Sequence, residues 1–267
     1  MNSIEDMYPI LNDIFSDKQG GEIFACYGIW HFLYIFLAVV AVALTIYLVK
    51  NKDESVKDKT LKMFIGIAFG LYVADFFLMP FAYGEIDVDK LPFHVCTSMC
   101  IMCFLSNHVD WLKRYRLNFA MLGMLSNLIY LIYPAGVMWY EIHPLSYRVI
   151  QTLLFHGVMT SYGVLAIVFR GEELNIKKCH RDLVILGTLT VWAMVGNELY
   201  SGSAGDYDRY FNWFFVRSDP LGIFPESISH YISPWLNIVV FFTLEVMIYL
   251  AFIAIKKAHQ SKRVQAI

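Results

Sequence analysis

Charge is scarce in this chain. Only 16% of its 267 residues are Asp, Glu, Lys or Arg, where soluble domains carry about a quarter. What remains is too apolar to be a coat in water: 58% of the residues are hydrophobic and the mean hydropathy is +0.51. A net charge of −2 offers no field that would recruit nucleic acid, so no nucleic-acid partner is expected. Cysteine is sparse and odd in number: Cys26, Cys96, Cys100, Cys103 and Cys179. Most of these fall inside apolar runs or beside basic loops, which argues against a disulfide framework. There is no P-loop, no GxGxxG, no GxSxG and no HExxH, and no repeat or low-complexity tract. Nothing calls for a cofactor. Residues 1–22 hold Glu5, Asp6, Asp13, Asp17 and Glu22 against Lys18 alone. That is the reverse of the basic start of a cleavable signal, and none is expected.

What the chain has in abundance is long apolar runs. A helix needs roughly 20 apolar residues to cross the hydrocarbon core. Seven stretches meet that test, at about 24–49, 62–83, 91–109, 117–138, 147–169, 182–200 and 233–255. The expected fold is therefore all-α, a polytopic membrane helix bundle of about seven transmembrane helices, embedded in the lipid bilayer. The connecting loops carry a charge signal. Lys50, Lys52, Lys57, Lys59 and Lys62 precede the second span, and Lys113, Arg114 and Arg116 follow the third. Arg170, Lys177, Lys178 and Arg181 follow the fifth, and Lys256, Lys257, Lys262 and Arg263 follow the last. With seven spans all four groups fall on one side, which basic loops mark as cytoplasmic. The N-terminus is then outside and the C-terminus inside. The expected organisation is an external polar segment 1–23, one transmembrane domain 24–255 with an external loop at 201–232, and a basic tail 256–267.

Polar side chains inside such spans are costly and face the bundle interior. Here they share a depth. Cys96 lies ~8 Å below the outer start of the third span and His156 ~12 Å below that of the fifth, at about 1.5 Å per residue. Asp75, His94, Asn197 and Glu198 fall in the same outer layer. Cys96, Cys100, Cys103 and Asn107 are spaced as one helical face, while His94 points nearly the opposite way. Thr152, His156 and Thr160 form a stripe on the fifth span, and Gly123, Asn127 and Tyr130 another on the fourth.

These residues support several readings. Cysteine behaves as a small hydrophobe, and Cys100 and Cys103 are read as packing. Cys96 beside His156 could form a thiolate–imidazolium pair, an activated nucleophile. A metal reading would use His94, Cys96, Cys100 and His156. His156 could also be an interior histidine whose hydrogen bonds are met. Arg217 could hold a lipid phosphate from outside or be an ordinary loop charge, and Glu245 needs a partner or a neutral state.

In order and spacing, "LPFHVC" (91–96), "HPLSYRVIQTLLFHG" (143–157), "VGNELY" (195–200), "FVRSDP" (215–220) and "SPWLNIVVFFTLE" (233–245) resemble the YwaF-like membrane proteins of bacteria. That group is related to transmembrane protein 164 of animals, which is understood to move fatty acyl chains between phospholipids through an acyl-cysteine. The resemblance implies Cys96 as nucleophile and His156 as its base. The expected activity is that of an intramembrane phospholipid acyltransferase or lipase in a bacterial plasma membrane, with a phospholipid or lysophospholipid as partner and no metal. Asp75, His94, Asn197 and Thr97 are expected to support the pair, Asp75 or Asn197 by fixing the imidazole tautomer and Thr97 or Asn197 by donating to an oxyanion. Arg217 and Gln151 are expected to contact substrate. The alternatives are a seven-span transporter or receptor with an outward polar pocket, and a metal-dependent membrane hydrolase.

Overall fold

The computed structural model describes residues 21–83, 88–138, 141–200, 211–218 and 222–265. Most of the segment 1–23, much of the loop 201–232 and the last residues of the tail lie outside the described residues.

Seven helices carry the fold: α1 (Ile29–Val49), α2 (Glu54–Tyr83), α3 (Val95–His108), α4 (Arg116–Ile132), α5 (Tyr147–Arg170), α6 (His180–Tyr200) and α7 (Glu226–Gln265). Six of them are long and apolar enough to cross a membrane. Their outward faces show why lipid is the solvent. Phe36 and Leu44 on α1, Val191 and Met194 on α6, and Val239 and Met247 on α7 are all exposed, an apolar surface no soluble monomer presents. The chain is an integral multi-pass membrane protein.

The third span departs from expectation. It was read as 91–109, but α3 has only 14 residues, or about 21 Å, against a hydrocarbon core of about 30 Å. Pro92, which has no N–H to give a helix, lies just ahead of its start, and Leu91–His94 is turn. α4 ends early for a related reason. Pro134 disfavours helix in the residue before it, so Tyr133 leaves the helix and a separate turn forms at Ala135–Met138. α2 starts eight residues before the expected 62, because Glu54 sits in its first turn and pairs with Lys57 one turn on (2.8 Å). α7 starts at Glu226, inside the stretch read as external loop, and runs through Pro234.

α5 is the centre of the bundle: 67% of its apolar span is buried, against 0% for α1. Ser146 caps it by accepting from Val149 N–H. It packs against α1, α2 and α4, and α4 in turn packs against α3. The α4–α5 approach needs glycine. A Cβ at Gly163 would collide with Met124 and lie 2.7 Å from the Ala120 carbonyl oxygen.

The bundle has a basic end. There Arg170 of α5 pairs with Glu54 and with Asp58 (2.5 Å) of α2, and Arg116 of α4 reaches Asp58 (3.3 Å) and Glu173 (3.6 Å). Slightly deeper, Asp182 of α6 accepts hydrogen bonds from Asn118 of α4 (2.5 Å) and Tyr249 of α7 (3.0 Å). At the opposite end, His31 of α1 donates from Nε2 to the Leu131 carbonyl (2.7 Å) and accepts from Tyr27 N–H at Nδ1 (3.0 Å). Both of its nitrogens are used, so it is a structural histidine.

Candidate functional site

The polar layer lies at the end opposite the arginines. Cys96 is the second residue of α3 and is half-buried. The N–H groups of Val95, Cys96 and Thr97 precede the first intrahelical acceptor, which is the His94 carbonyl receiving Ser98 N–H (2.9 Å). The helix dipole therefore favours negative charge beside Cys96. Cys100 and Cys103, further along the same face, are fully buried among core side chains.

His156 lies in the middle of α5 and is 6% exposed. Its Nδ1 is 2.7 Å from the Thr152 carbonyl oxygen. A carbonyl only accepts, so Nδ1 carries the proton and Nε2 bears the lone pair. Among the described residues the buried Nε2 meets no hydrogen-bond partner. The ring stacks on Tyr130 of α4, with centroids 3.9 Å apart and planes inclined by 13°, and Phe155 meets it edge-on. Lys90 and His94 lie within electrostatic reach of His156, and Cys96 and Cys100 within reach of the Tyr72 hydroxyl on α2. The Tyr72 hydroxyl in turn donates to the Lys90 carbonyl (3.1 Å). Cys96 and His156 thus stand on two helices, α3 and α5, that both pack against α4.

The expected supporting residues take other partners. Asp75 is buried and ion-pairs with Lys90 (3.0 Å). Asn197 is bonded reciprocally to Trp213: its Nδ2 donates to the Trp213 carbonyl (3.2 Å), and its Oδ1 accepts from Trp213 N–H (3.0 Å). Neither orients the imidazole, because the Thr152 carbonyl already holds Nδ1. The Thr97 hydroxyl donates to the His94 carbonyl (3.1 Å) and so is not directed at an oxyanion. His94 itself is the N-cap residue of α3, without a capping side-chain bond. Among the described residues no three His, Cys, Asp or Glu side chains gather as metal ligands, so the His94, Cys96, Cys100 and His156 set of the alternative metal reading is not brought together. Gln151 is buried, donates to the Leu71 carbonyl (3.5 Å) and accepts from Thr152 Oγ1 (3.4 Å), which links α5 to α2. Arg217 pairs with Glu198 (3.4 Å) at the rim of the loop after α6.

Three features escape a reading of the spans alone. Tyr130 covers the imidazole, and its place three residues after Asn127 on the noted α4 stripe was the available signal. Thr152 acts through its backbone, which leaves no side-chain signal. The third is a plug at Trp213–Phe215. Trp213 is fully buried and lies 4.9 Å from the Phe93 ring just ahead of α3. Gly196 makes room for Phe93, since a Cβ there would strike its ring. Phe214 and Phe215 adopt left-handed φ values of 55° and 52°. Asn237 of α7 holds both of their carbonyls, at 2.7 Å and 3.1 Å. The plug therefore closes over the start of α3, pinned from α6 and from α7.

No curated protein and no solved structure matches the chain. The sequence model of the TMEM164 family matches residues 26–256, nearly the whole of the helical bundle, and the chain belongs to the TMEM164 family.

Proposed function

We propose that this chain is an intramembrane cysteine acyltransferase acting on phospholipid acyl esters. The observation that carries the reading is His156, in a family linked to acyl transfer. It is a buried imidazole whose Nδ1 is committed to a backbone carbonyl and whose Nε2 lone pair is unused. That is the tautomer and the condition of a general base. Within the family we read the chain as a YwaF-like member of a bacterial plasma membrane, with its N-terminus outside and its basic end in the cytoplasm.

The reaction runs in two halves. His156 Nε2 takes the Cys96 thiol proton and the thiolate adds to the ester carbonyl carbon. The oxyanion that forms is met by first-turn N–H groups of α3. The tetrahedral species collapses, the ester C–O bond breaks, and His156 returns the proton to the departing lysophospholipid oxygen. In the second half a hydroxyl attacks the acyl-cysteine, its proton passes to His156, and the thiol is regenerated. The half-buried position of Cys96 suits attack on a lipid that enters laterally.

The test is the intact mass of detergent-purified protein after incubation with mixed phospholipids, beside Cys96→Ala. A hydroxylamine-labile gain of one acyl chain on wild type alone is expected. Absence of both the adduct and released lysophospholipid would overturn the reading.

A further inference from the structure

Three unpartnered polar atoms lie along one helix seam. They are His156 Nε2 and Thr160 Oγ1 on α5 and Asn127 Oδ1 on α4, all buried and all without a hydrogen bond. Their common location follows from the register of two antiparallel helices. Tyr130 stacks on His156. Further along, the Gly123 Cβ position faces the Met159 methyl (3.3 Å), and that of Gly163 faces Met124 and Ala120. Asn127 lies three residues before Tyr130 and four after Gly123, so it is on the α4 face that meets α5. Thr160 lies four residues after His156 and three before Gly163, so it is on the α5 face that meets α4. Both fall between the Tyr130–His156 stack and the Gly163 crossing, one turn from the imidazole.

The hydrogen-bonding roles of these atoms are settled by their neighbours. Asn127 donates from Nδ2 to the Gly123 carbonyl (2.6 Å), which leaves Oδ1 as an acceptor. His156 donates from Nδ1 to Thr152, which leaves Nε2 as an acceptor directed away from Thr152. Thr160 brings a hydroxyl able to give or to take a hydrogen bond. Two obligate acceptors and a hydroxyl are not satisfied by an acyl chain, an anion or an ester carbonyl. An O–H group that also accepts satisfies His156 Nε2 and Thr160 together, and the second O–H of a water satisfies Asn127 Oδ1 as well. Buried polar atoms in native structures are met by a protein group, a water or a ligand.

We propose that the α4–α5 seam binds the hydroxyl of the acyl acceptor, water or the free hydroxyl of a lysophospholipid, whose O–H is donated to His156 Nε2 while its oxygen accepts from the Thr160 hydroxyl; where the acceptor is water, its second O–H goes to Asn127 Oδ1. This rests on the acyltransferase reading and deepens it. In the second half-reaction the acceptor O–H bond breaks and its proton goes to Nε2. The acceptor oxygen bonds to the acyl carbon, the C–S bond breaks, and the Cys96 thiolate then takes the proton back from His156.

Two measurements test the site. The first is independent of turnover. In a Cys96→Ala background, a lysophospholipid is expected to raise the thermal midpoint more than its deoxy analogue does. Adding Thr160→Val should erase that difference, and Thr160→Ser should restore it. An equal response to both lipids in the parent background would overturn the lysophospholipid arm. The second follows decay of preformed acyl-cysteine with lysophospholipid present or absent. Thr160→Val is expected to slow decay about tenfold more than acylation, and Asn127→Leu to do the same where water is the acceptor, the scale of one lost hydrogen bond to a charged or reacting group. Slowed release of free fatty acid without added lipid identifies water as the ligand. Slowed formation of diacyl lipid identifies the lysophospholipid. Decay at the wild-type rate in both arms overturns the proposal while leaving the acyl-cysteine itself intact. A wild type that forms no acyl-cysteine overturns the parent reading instead, and the lipid-pair comparison still decides the seam.

Discussion

Tyr130 lies face to face with His156, ring centroids 3.9 Å apart and planes within 13° of parallel. The contact joins α4 to α5 at an imidazole whose Nε2 is unmatched among the described residues. A ring over an imidazole restricts its rotation, and its negative face favours the imidazolium formed during proton transfer.

Tyr130→Leu is therefore expected to lower the acyl-transfer rate about 3- to 10-fold, the worth of an aromatic pair. Tyr130→Phe keeps the ring and should stay within about twofold of wild type on the same grounds. A pH–rate profile distinguishes positioning from mere structure. The Leu variant should move the lower limb of the profile, because the imidazolium loses its neighbour. An equal fall for Phe and Leu would assign the effect to the hydroxyl.

Asn197 ties α6 to the plug through both backbone groups of Trp213. Asn197→Ala removes both of these hydrogen bonds in a fully buried place, at about 0.5–1.5 kcal/mol for each. The expected result is a lower thermal midpoint and faster protease nicking between α6 and α7. Unchanged nicking would mean that Asn237, which holds the Phe214 and Phe215 carbonyls, anchors the plug alone.

Much of this architecture was legible in the chain. Apolar length marks the seven helices, and the ion pairs of Arg170 and Arg116, from two of the basic stretches, with Glu54, Asp58 and Glu173 gather at one end of the bundle. The shortness of α3 was less legible, because hydropathy continues through Leu91–His94 while the backbone there forms turns. Depth along a span groups the polar residues in the sequence but does not give their pairings. Asp75 and Asn197 are expected in one layer with His156, yet one pairs with Lys90 and the other with Trp213. The group that sets the imidazole tautomer is a main-chain carbonyl, which every residue possesses and which no residue pattern marks.

Glycines give a sharp contrast in packing. Gly163→Ala places a methyl against Met124 and the Ala120 backbone, and overpacking of this kind costs about 1–3 kcal/mol. Gly187 on α6 has nothing within 4 Å of its Cβ position. Gly187→Ala should therefore stabilise by up to about 1 kcal/mol through helix propensity. Thermal midpoints in one detergent check both signs. A neutral Gly163→Ala would show that α4 and α5 can separate at no cost.

Two buried acids should respond in opposite directions. Asp182 is 1% exposed and is held by Asn118 and Tyr249. Its replacement by Leu removes two hydrogen bonds to a buried carboxylate, at about 1–3 kcal/mol each, and leaves Asn118 and Tyr249 the bond between them (3.3 Å). Glu245 is equally buried, one turn from Tyr249 on α7, and neither of its carboxylate oxygens has a partner. Glu245→Leu removes an uncompensated polar group and is expected to stabilise by about 1–4 kcal/mol, as replacement of buried ionic groups by well-packed apolar ones often does. The measurement is the thermal midpoint of each variant against wild type at one pH and one detergent. A fall on Glu245→Leu as large as that on Asp182→Leu would mean that Glu245 is stabilised by a bound cation or a shared proton, and elemental analysis with infrared detection of a protonated carboxyl would then separate those two.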